Sequence, residues 1–365
     1  MDKARVNTFD SRNYSDISSA AQPEWRFCSS ALLSGFLVSM AATCFGLAQS
    51  ASAAELVQPF YSRNLNPFVQ IYGLPAGEGP TLAEKGELEA RLVLDVANNY
   101  TASADQGETI IIRGETYRSV VALRYGLREN MEVGIDLPYL SHGRGHLNDF
   151  IIDWHDTFGM SQGGRDKATD DQLAYFYANG SNDQIDVTGS ASGLGDVLLS
   201  AAMPLWKDGE GENQRLLALR ATLKVPTGST SDLLGSGSTD LSLRLSGEDR
   251  QTLAAANITC FGTLGTLLMT AGDVIPERQR HAVGFGTIGF GWQPLTWLTL
   301  KLQLDGHTAF FDSELSQLGN FSSQLIMGGT VGLPGDFQFD LAVSEDIIVD
   351  TAPDVLFHFA LRRVF

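Results

Sequence analysis

The sequence is short of charge. Only 19% of its 365 residues are Asp, Glu, Lys or Arg, against roughly a quarter in ordinary globular chains. Cations are the scarcer kind: 25 Lys and Arg face 43 Asp and Glu, a net charge of −18. With a pI near 4.6, that balance argues against nucleic acid as a partner, because neutralising phosphates takes clustered cations. Long apolar runs are also lacking. A mean hydropathy of −0.03 excludes a helical membrane protein, which needs several apolar stretches of about 20 residues. Yet a hydrophobic content of 43% with so little charge is wrong for disorder. Other signatures of soluble enzymes are missing too: there is no P-loop, HExxH or paired CxxC. Gly284-x-Gly286-x-x-Gly289 lies in an alternating segment rather than at a strand–turn–helix junction, so it reads as small residues on a wall. No cofactor and no metal is expected.

The single long apolar run sits near the N-terminus. After Arg26, residues 31–48 (ALLSGFLVSMAATCFGLA) carry no charge, and small residues follow, with Ala51 and Ala53 in the A-x-A pattern of a secretory cleavage site. Residues 1–53 therefore read as an N-terminal extension plus a cleavable signal peptide, and the polar lead-in before residue 25 is long enough to suggest a misplaced start. Four acids and four bases fall within residues 1–26, so the exported chain keeps the whole −18. Cys28 and Cys44 leave with the signal, and Cys260 alone cannot form an intramolecular disulfide.

Beyond the signal the hydropathy period is two. Leu298, Leu300, Leu302 and Leu304 alternate with Thr299, Lys301, Gln303 and Asp305, and Leu217, Leu219, Ala221 and Leu223 with Arg220, Thr222 and Lys224. Successive side chains on a strand point to opposite faces, so each segment has one greasy and one polar face. A soluble sandwich would hide the greasy faces inside; a transmembrane barrel turns them to lipid around a polar lumen. Three features favour the barrel. Many runs reach about ten residues, as a tilted membrane strand requires. A secretory signal precedes a chain without disulfides. Val355, Phe357, Phe359, Leu361 and the terminal Phe365 share one face of a strand that runs to the end of the chain. Such an aromatic terminus resembles the sorting signal of outer-membrane barrels, which makes the barrel-assembly machinery an expected partner beside outer-membrane lipid and lipopolysaccharide. Arg363 departs from the pattern on the apolar face, at the periplasmic interface, where a charge costs little.

The expected fold is an all-β, antiparallel transmembrane β-barrel of about twelve strands, with ten or fourteen also compatible. Strands are expected near 87–101, 109–126, 130–140, 193–206, 214–226, 239–246, 252–269, 281–293, 297–311, 320–333, 336–347 and 354–365, with short and long connections roughly alternating. Residues 54–86 precede the barrel, and their apolar stretch 64–75 (NLNPFVQIYGLP) reads as a periplasmic or lumenal plug. The long loop 141–191 should act as a lid or plug. Phe150, Trp154 and Phe158 at helical spacing predict a short helix over 147–158, and residues 175–177 a small hairpin with 185–188.

Three strings carry a family resemblance: residues 114–139 (GETYRSVVALRYGLRENMEVGIDLPY), residues 142–159 with their Ile-Asp-Trp-His run, and Gly193-Leu194-Gly195-Asp196. They resemble a proteobacterial barrel family catalogued as domain of unknown function 3187, over roughly residues 60–365. The turn Lys224-Val225-Pro226-Thr227-Gly228, followed by Gly235-Ser236-Gly237, is similar to turns in several outer-membrane channel families. The resemblance implies a barrel in the Gram-negative outer membrane and carries no activity.

Inward-facing charge is the remaining clue. Glu89, Arg91, Asp95, Arg118, Arg124, Glu132, Asp136, Arg220, Lys224, Asp240, Arg244, Lys301, Asp305, His307, Asp340 and Arg362 are the lumen-lining candidates, and Phe150, Trp154, His155, Asp156 and Phe158 the lid or plug candidates. Mixed signs suggest salt-bridged ladders, and twelve strands fall between a filled barrel of about eight and an open one of about sixteen. A narrow or gated, porin-like channel for small or amphipathic solutes is the expectation. Two alternatives stand beside it. One is an outer-membrane lipid-modifying enzyme using His307 with Ser313; the other is a structural or surface-interaction barrel with a closed lumen. The Trp154-His155-Asp156 cluster, with His142, His146, Asp149 and Asp153 near it, reads as a loop histidine tied to an Asp rather than a metal site.

Overall fold

Alternating residues pair into one antiparallel sheet that closes on itself. The computed structural model describes residues 57–365 apart from 146, 148–152, 154–171, 181, 212 and 349. Its strands are β1 (Leu88–Asp105), β2 (Glu108–Arg128), β3 (Met131–Gly143), β4 (Ala174–Asn179), β5 (Asn182–Val187), β6 (Ala191–Leu194), β7 (Val197–Glu210), β8 (Asn213–Val225), β9 (Asp240–Asp249), β10 (Ile258–Met269), β11 (Ala282–Leu295), β12 (Leu298–His307), β13 (Ser322–Leu333), β14 (Phe337–Asp346) and β15 (Val355–Val364). Twelve of these make the wall, in the order β1-β2-β3-β7-β8-β9-β10-β11-β12-β13-β14-β15, and β1 pairs back onto β15 from Glu89↔Val364 to Asn98↔Val355. Closure removes the unpaired edge that would otherwise be intolerable in hydrocarbon. No described helix is long and apolar enough to cross a membrane; the strands cross.

The outer face is greasy and uncovered: Leu264 is 72% exposed and Ile288 65%, with Leu92, Leu94, Leu241, Leu243 and Leu245 also exposed. Exposed apolar area of that extent is the lipid-facing belt of a transmembrane barrel. Both chain ends of the barrel meet at one rim, where Leu88 and Phe365 exchange backbone hydrogen bonds. The opposite rim carries the longer connections and will be called the loop rim. β1 and β2 rise beyond the wall there, and β4–β5 extends β2 through Glu108↔Asn179 to Arg113↔Ala174. That is the small hairpin anticipated around residues 175–177. The short helix over 147–158 falls, apart from Leu147 and Asp153, outside the described residues, as do residues 1–56.

Of the strand limits that differ from the sequence pattern, three have a clear local reason. β10 begins at Ile258 rather than 252, because the alanine-rich residues before it form a single helical turn that ends on Asn257 with φ 54°. β12 stops at His307 rather than 311; Phe310 and Phe311 turn inward to an apolar cluster. The strand expected over 193–206 is two: β6 pairs with β3, and Gly195–Asp196 break the ladder before β7.

Aromatic rings inside the wall are accommodated by glycine. Phe261 stands directly opposite Gly289, and Phe285 opposite Gly265, on β10 and β11. A Cβ on Gly289 would lie 2.5 Å from the Phe261 ring, and one on Gly265 2.4 Å from that of Phe285. The third glycine of the Gly284-x-Gly286-x-x-Gly289 string is therefore a space for a ring.

Candidate functional site

A segment of the chain itself fills the lumen. Residues 57–80 run up inside the barrel, turn near the loop rim and return, and Phe60, Tyr61, Leu65, Phe68, Ile71 and Tyr72 are all buried. The turn is encoded locally. Asn64 Oδ1 accepts from Asn66 N at 2.8 Å, Asn66 Oδ1 from Phe68 N at 3.0 Å, and Pro67 starts a turn closed by Val69 N and Gln70 N on Asn66 O. Side-chain amides that cap their own backbone, with proline at the second turn position, make such a bend without a partner. Arg63 Nη2 then ties the two limbs by donating to the carbonyls of Gln70 and Tyr72.

The wall grips this plug mostly through charge. Near the rim that holds the chain ends, Glu78 of the plug accepts from Arg124 Nε at 2.7 Å and Arg244 Nη2 at 2.8 Å, with Arg220 Nε at 3.2 Å. Arg124 also pairs with Asp136 at 2.7 Å and Arg220 with Glu132 at 2.6 Å. Tyr61 completes the cluster, donating to Asp136 and accepting from Arg124 Nη2. On β12, Lys301 Nζ donates to Gln58 O at 3.0 Å, pairs with Asp340 at 3.2 Å and lies 3.9 Å from the centre of the Phe60 ring. Arg91 sits over the Tyr61 ring at 4.5 Å, beside Glu89 at 2.8 Å, and Arg362 reaches Glu89 at 3.4 Å. Asp305 accepts from Thr287 and Gln303.

At the plug's apex the wall meets backbone. Asp240 Oδ2 accepts from Gly73 N at 2.7 Å, and Lys224 Nζ donates to Ile71 O at 3.2 Å. His307 Nε2 is 2.9 Å from Asn64 Nδ2. Lys224 is itself held at 2.5 Å by Asp196, whose other oxygen accepts from Thr227 N and Gly228 N. The Gly-Leu-Gly-Asp and Lys-Val-Pro-Thr-Gly strings thus form one device: a carboxylate that caps a turn and orients a buried lysine against the plug.

Above the apex an apolar cap closes the loop rim. Phe68, Ile71 and Tyr72 join one cluster with Ile110, Ile112, Tyr175, Tyr177, Phe310, Phe311 and Leu315, and Tyr72 stacks on Phe310 with ring centres 5.1 Å apart. Glu108 gathers its pieces, accepting from Tyr177 Oη at 2.6 Å and Ser313 Oγ at 3.0 Å, with Arg278 at 3.6 Å. Burial, then the hydrogen bond to Glu108, holds the Tyr177 phenol above its ordinary pKa. Between plug and wall, cavities of about 20 Å³ and 30 Å³ remain, beside Arg63 and Lys224 and beside Asn64 and His307 respectively. Each has room for about one water.

Each of the sixteen lumen-lining candidates is thus placed, most of them against the plug or an opposite charge, Asp95 being held by Arg118 at 2.9 Å and His358 at 2.6 Å. His358, between Phe357 and Phe359, also faces inward and lies outside that set of candidates. Glu78, Tyr61 and Asp196 lie outside it as well; only the family string that contains Asp196 hints at any of them. Phe150, Trp154, His155, Asp156 and Phe158 lie outside the described residues. His307 and Ser313 have separate partners: the Ser313 hydroxyl donates to Glu108, while His307 bonds Asn64 and the Thr308 carbonyl. His142 is occupied at both nitrogens, by Thr116 and the Leu233 carbonyl. Among the described residues no cluster of three or more metal-ligating side chains occurs.

The family described as a protein of unknown function, DUF3187, matches residues 35–365. The chain belongs to that family. Among solved structures, this DUF3187 chain is similar to the COG4313 outer membrane channel from Pseudomonas putida F1, with a TM-score of 0.52 at 13% identity, covering 78% of this chain and 98% of that one. A NanC porin structure follows at a TM-score of 0.41 and 6% identity, covering 76% and 98%. The Ralstonia pickettii toluene transporter TbuX gives 0.36 and 10%, covering 86% and 96%. No curated protein sequence matches. The first likeness agrees with the closed twelve-stranded fold, and barrel and greasy belt together support an outer-membrane location.

Proposed function

We propose that this chain is a plug-gated outer-membrane channel for small solutes, exported by the Sec route and inserted with both barrel ends at the periplasmic rim. One observation carries the reading: residues 57–80 occupy the lumen as a separate hairpin, held to the wall by side-chain contacts and not built into its ladder. A barrel meant only as a scaffold would fill its lumen with wall side chains, as barrels of about eight strands do. Here the filling is a tethered segment that exits at the rim where β1 begins, and retracting it would vacate the bore. The apex underpins the apolar cap, so its withdrawal would also loosen the loop rim. The fold shared with the COG4313 outer membrane channel from Pseudomonas putida F1 supports this reading. The exposed belt would meet outer-membrane lipid and lipopolysaccharide. The aromatic end at Phe365, flanked by Arg363 at 4.6 Å from its ring centre, suits recognition by the barrel-assembly machinery.

Planar-bilayer recording tests the gate. The mature protein should be nearly silent at low voltage, and a chain lacking residues 57–80 should conduct steadily. A folded, plug-less barrel that stays silent would favour the closed structural barrel instead.

A further inference from the structure

Glu78 is the plug's one deeply buried acid, and it sits where a bound anion would sit. Three guanidiniums from three strands converge on its carboxylate: Arg124 of β2, Arg220 of β8 and Arg244 of β9. Two of them keep wall partners, Asp136 and Glu132. Arg244 does not. Its Nη1 donates to Ala76 O and its Nη2 to Glu78 Oε2, both in the plug, while its buried Nε has no partner. The cluster is neutral with the plug in place, since three cations face Glu78, Glu132 and Asp136. Without Glu78 it holds one cation too many, and that cation is Arg244, 3% exposed.

We infer that the arginine cluster is a binding site for the carboxylate of a small anionic solute, and that Glu78 is the internal ligand occupying it while the channel is shut. The inference rests on the plug-gated reading and adds the class of solute to it. The chemistry is selective: guanidiniums present paired N–H donors at the spacing of carboxylate oxygens. A buried guanidinium left without a counter-charge is costly, so an open state with an anion bound is favoured over an open state with the site bare. Solute carboxylate and Glu78 would then compete for the same donors, and the solute would promote its own passage.

Chemical rescue tests the site in the full mature chain. Glu78→Ala removes a fragment the size of acetate. Acetate should raise the melting temperature of this variant, and chloride at equal ionic strength should not; Arg244→Gln added to Glu78→Ala should abolish the acetate effect. Acetate acting no better than chloride overturns the site. Should Glu78→Ala fail to fold, the isosteric Glu78→Gln carries the test through its reversal potential in a KCl gradient. It should favour anions over cations about threefold more than Arg244→Gln does, and equal ratios overturn the inference. The two readings fail separately. Acetate rescue in a barrel that never conducts leaves the site standing without the gate. Conduction with neither rescue nor anion preference leaves the gate without the site.

Discussion

Arg244 of β9 and Glu78 of the plug meet at 2.8 Å, Nη2 to Oε2, in a contact that joins residues 166 apart in sequence. It is the best single measure of how firmly the plug is held, because Arg244 makes both of its hydrogen bonds to that segment. Arg244→Ala should therefore leave Glu78 with two guanidiniums and the Ala76 carbonyl bare. Breaking one side of a buried ion pair costs about 3–5 kcal/mol. That loss should appear in urea unfolding from lipid vesicles, together with brief channel openings that the wild type lacks. A variant as stable and as silent as wild type would mean the plug is held elsewhere.

Asp196 offers a test of the turn device. Its carboxylate serves Lys224, Thr227 N and Gly228 N together. Asp196→Ala strands a lysine that is 1% exposed, with Asp240 at 3.4 Å as its remaining carboxylate. The expected destabilisation is again about 3–5 kcal/mol, with faster proteolysis in the loop 226–239. Asp196→Asn keeps one acceptor for the turn amides and should fall between. Equal losses for the two substitutions would show that the amide cap contributes nothing.

The wall was legible in the sequence because its two solvents differ. Leu298, Leu300, Leu302 and Leu304 must face lipid and Lys301, Gln303 and Asp305 the lumen, so the period of two survives along nearly every strand. Where that contrast ends, legibility ends. Residues 252–257 lie at a rim between water and lipid, and their alanines pass for strand while forming a helical turn. The plug was visible as an apolar, proline-containing stretch, but its partners were not. Glu78 meets Arg124, Arg220 and Arg244, and Tyr61 meets Asp136. No local pattern encodes which inward charge a returning segment will touch. His358 is hard to read for a different reason: it is a lone polar residue between two lipid-facing aromatics, Phe357 and Phe359.

The Phe–Gly pairs predict a packing defect of known sign. Gly289→Val would place a branched side chain where the Phe261 ring lies, directly across the β10–β11 ladder. Overpacking of this kind costs about 1–3 kcal/mol. Phe261→Ala in the same chain should recover part of that loss, because it empties the space the valine needs. A double variant no better than Gly289→Val alone would remove the steric explanation. The readout is the unfolding midpoint of the reconstituted barrel.

Glu108 should govern the cap without governing the wall. Its carboxylate accepts from the Tyr177 hydroxyl and the Ser313 hydroxyl and faces Arg278, so three separate connections converge on the tip of β2. The β1–β2 ladder beneath it does not depend on that side chain, running unbroken from Asp105↔Glu108 to Leu88↔Tyr125. Glu108→Ala leaves two hydroxyl donors without their acceptor, at about 1–3 kcal/mol for each one that stays buried. The cap should then open more often, and trypsin cleavage after Arg278 and Arg280 should quicken by about tenfold. Migration of the unheated barrel on gels should stay as in wild type, since the wall remains closed. Tyr177→Phe alone should give a smaller effect of the same kind, and adding it to Glu108→Ala should change little, because the bond it deletes is already gone. Full additivity of the two substitutions would show that Glu108 and Tyr177 hold the cap independently, against the contact between them at 2.6 Å.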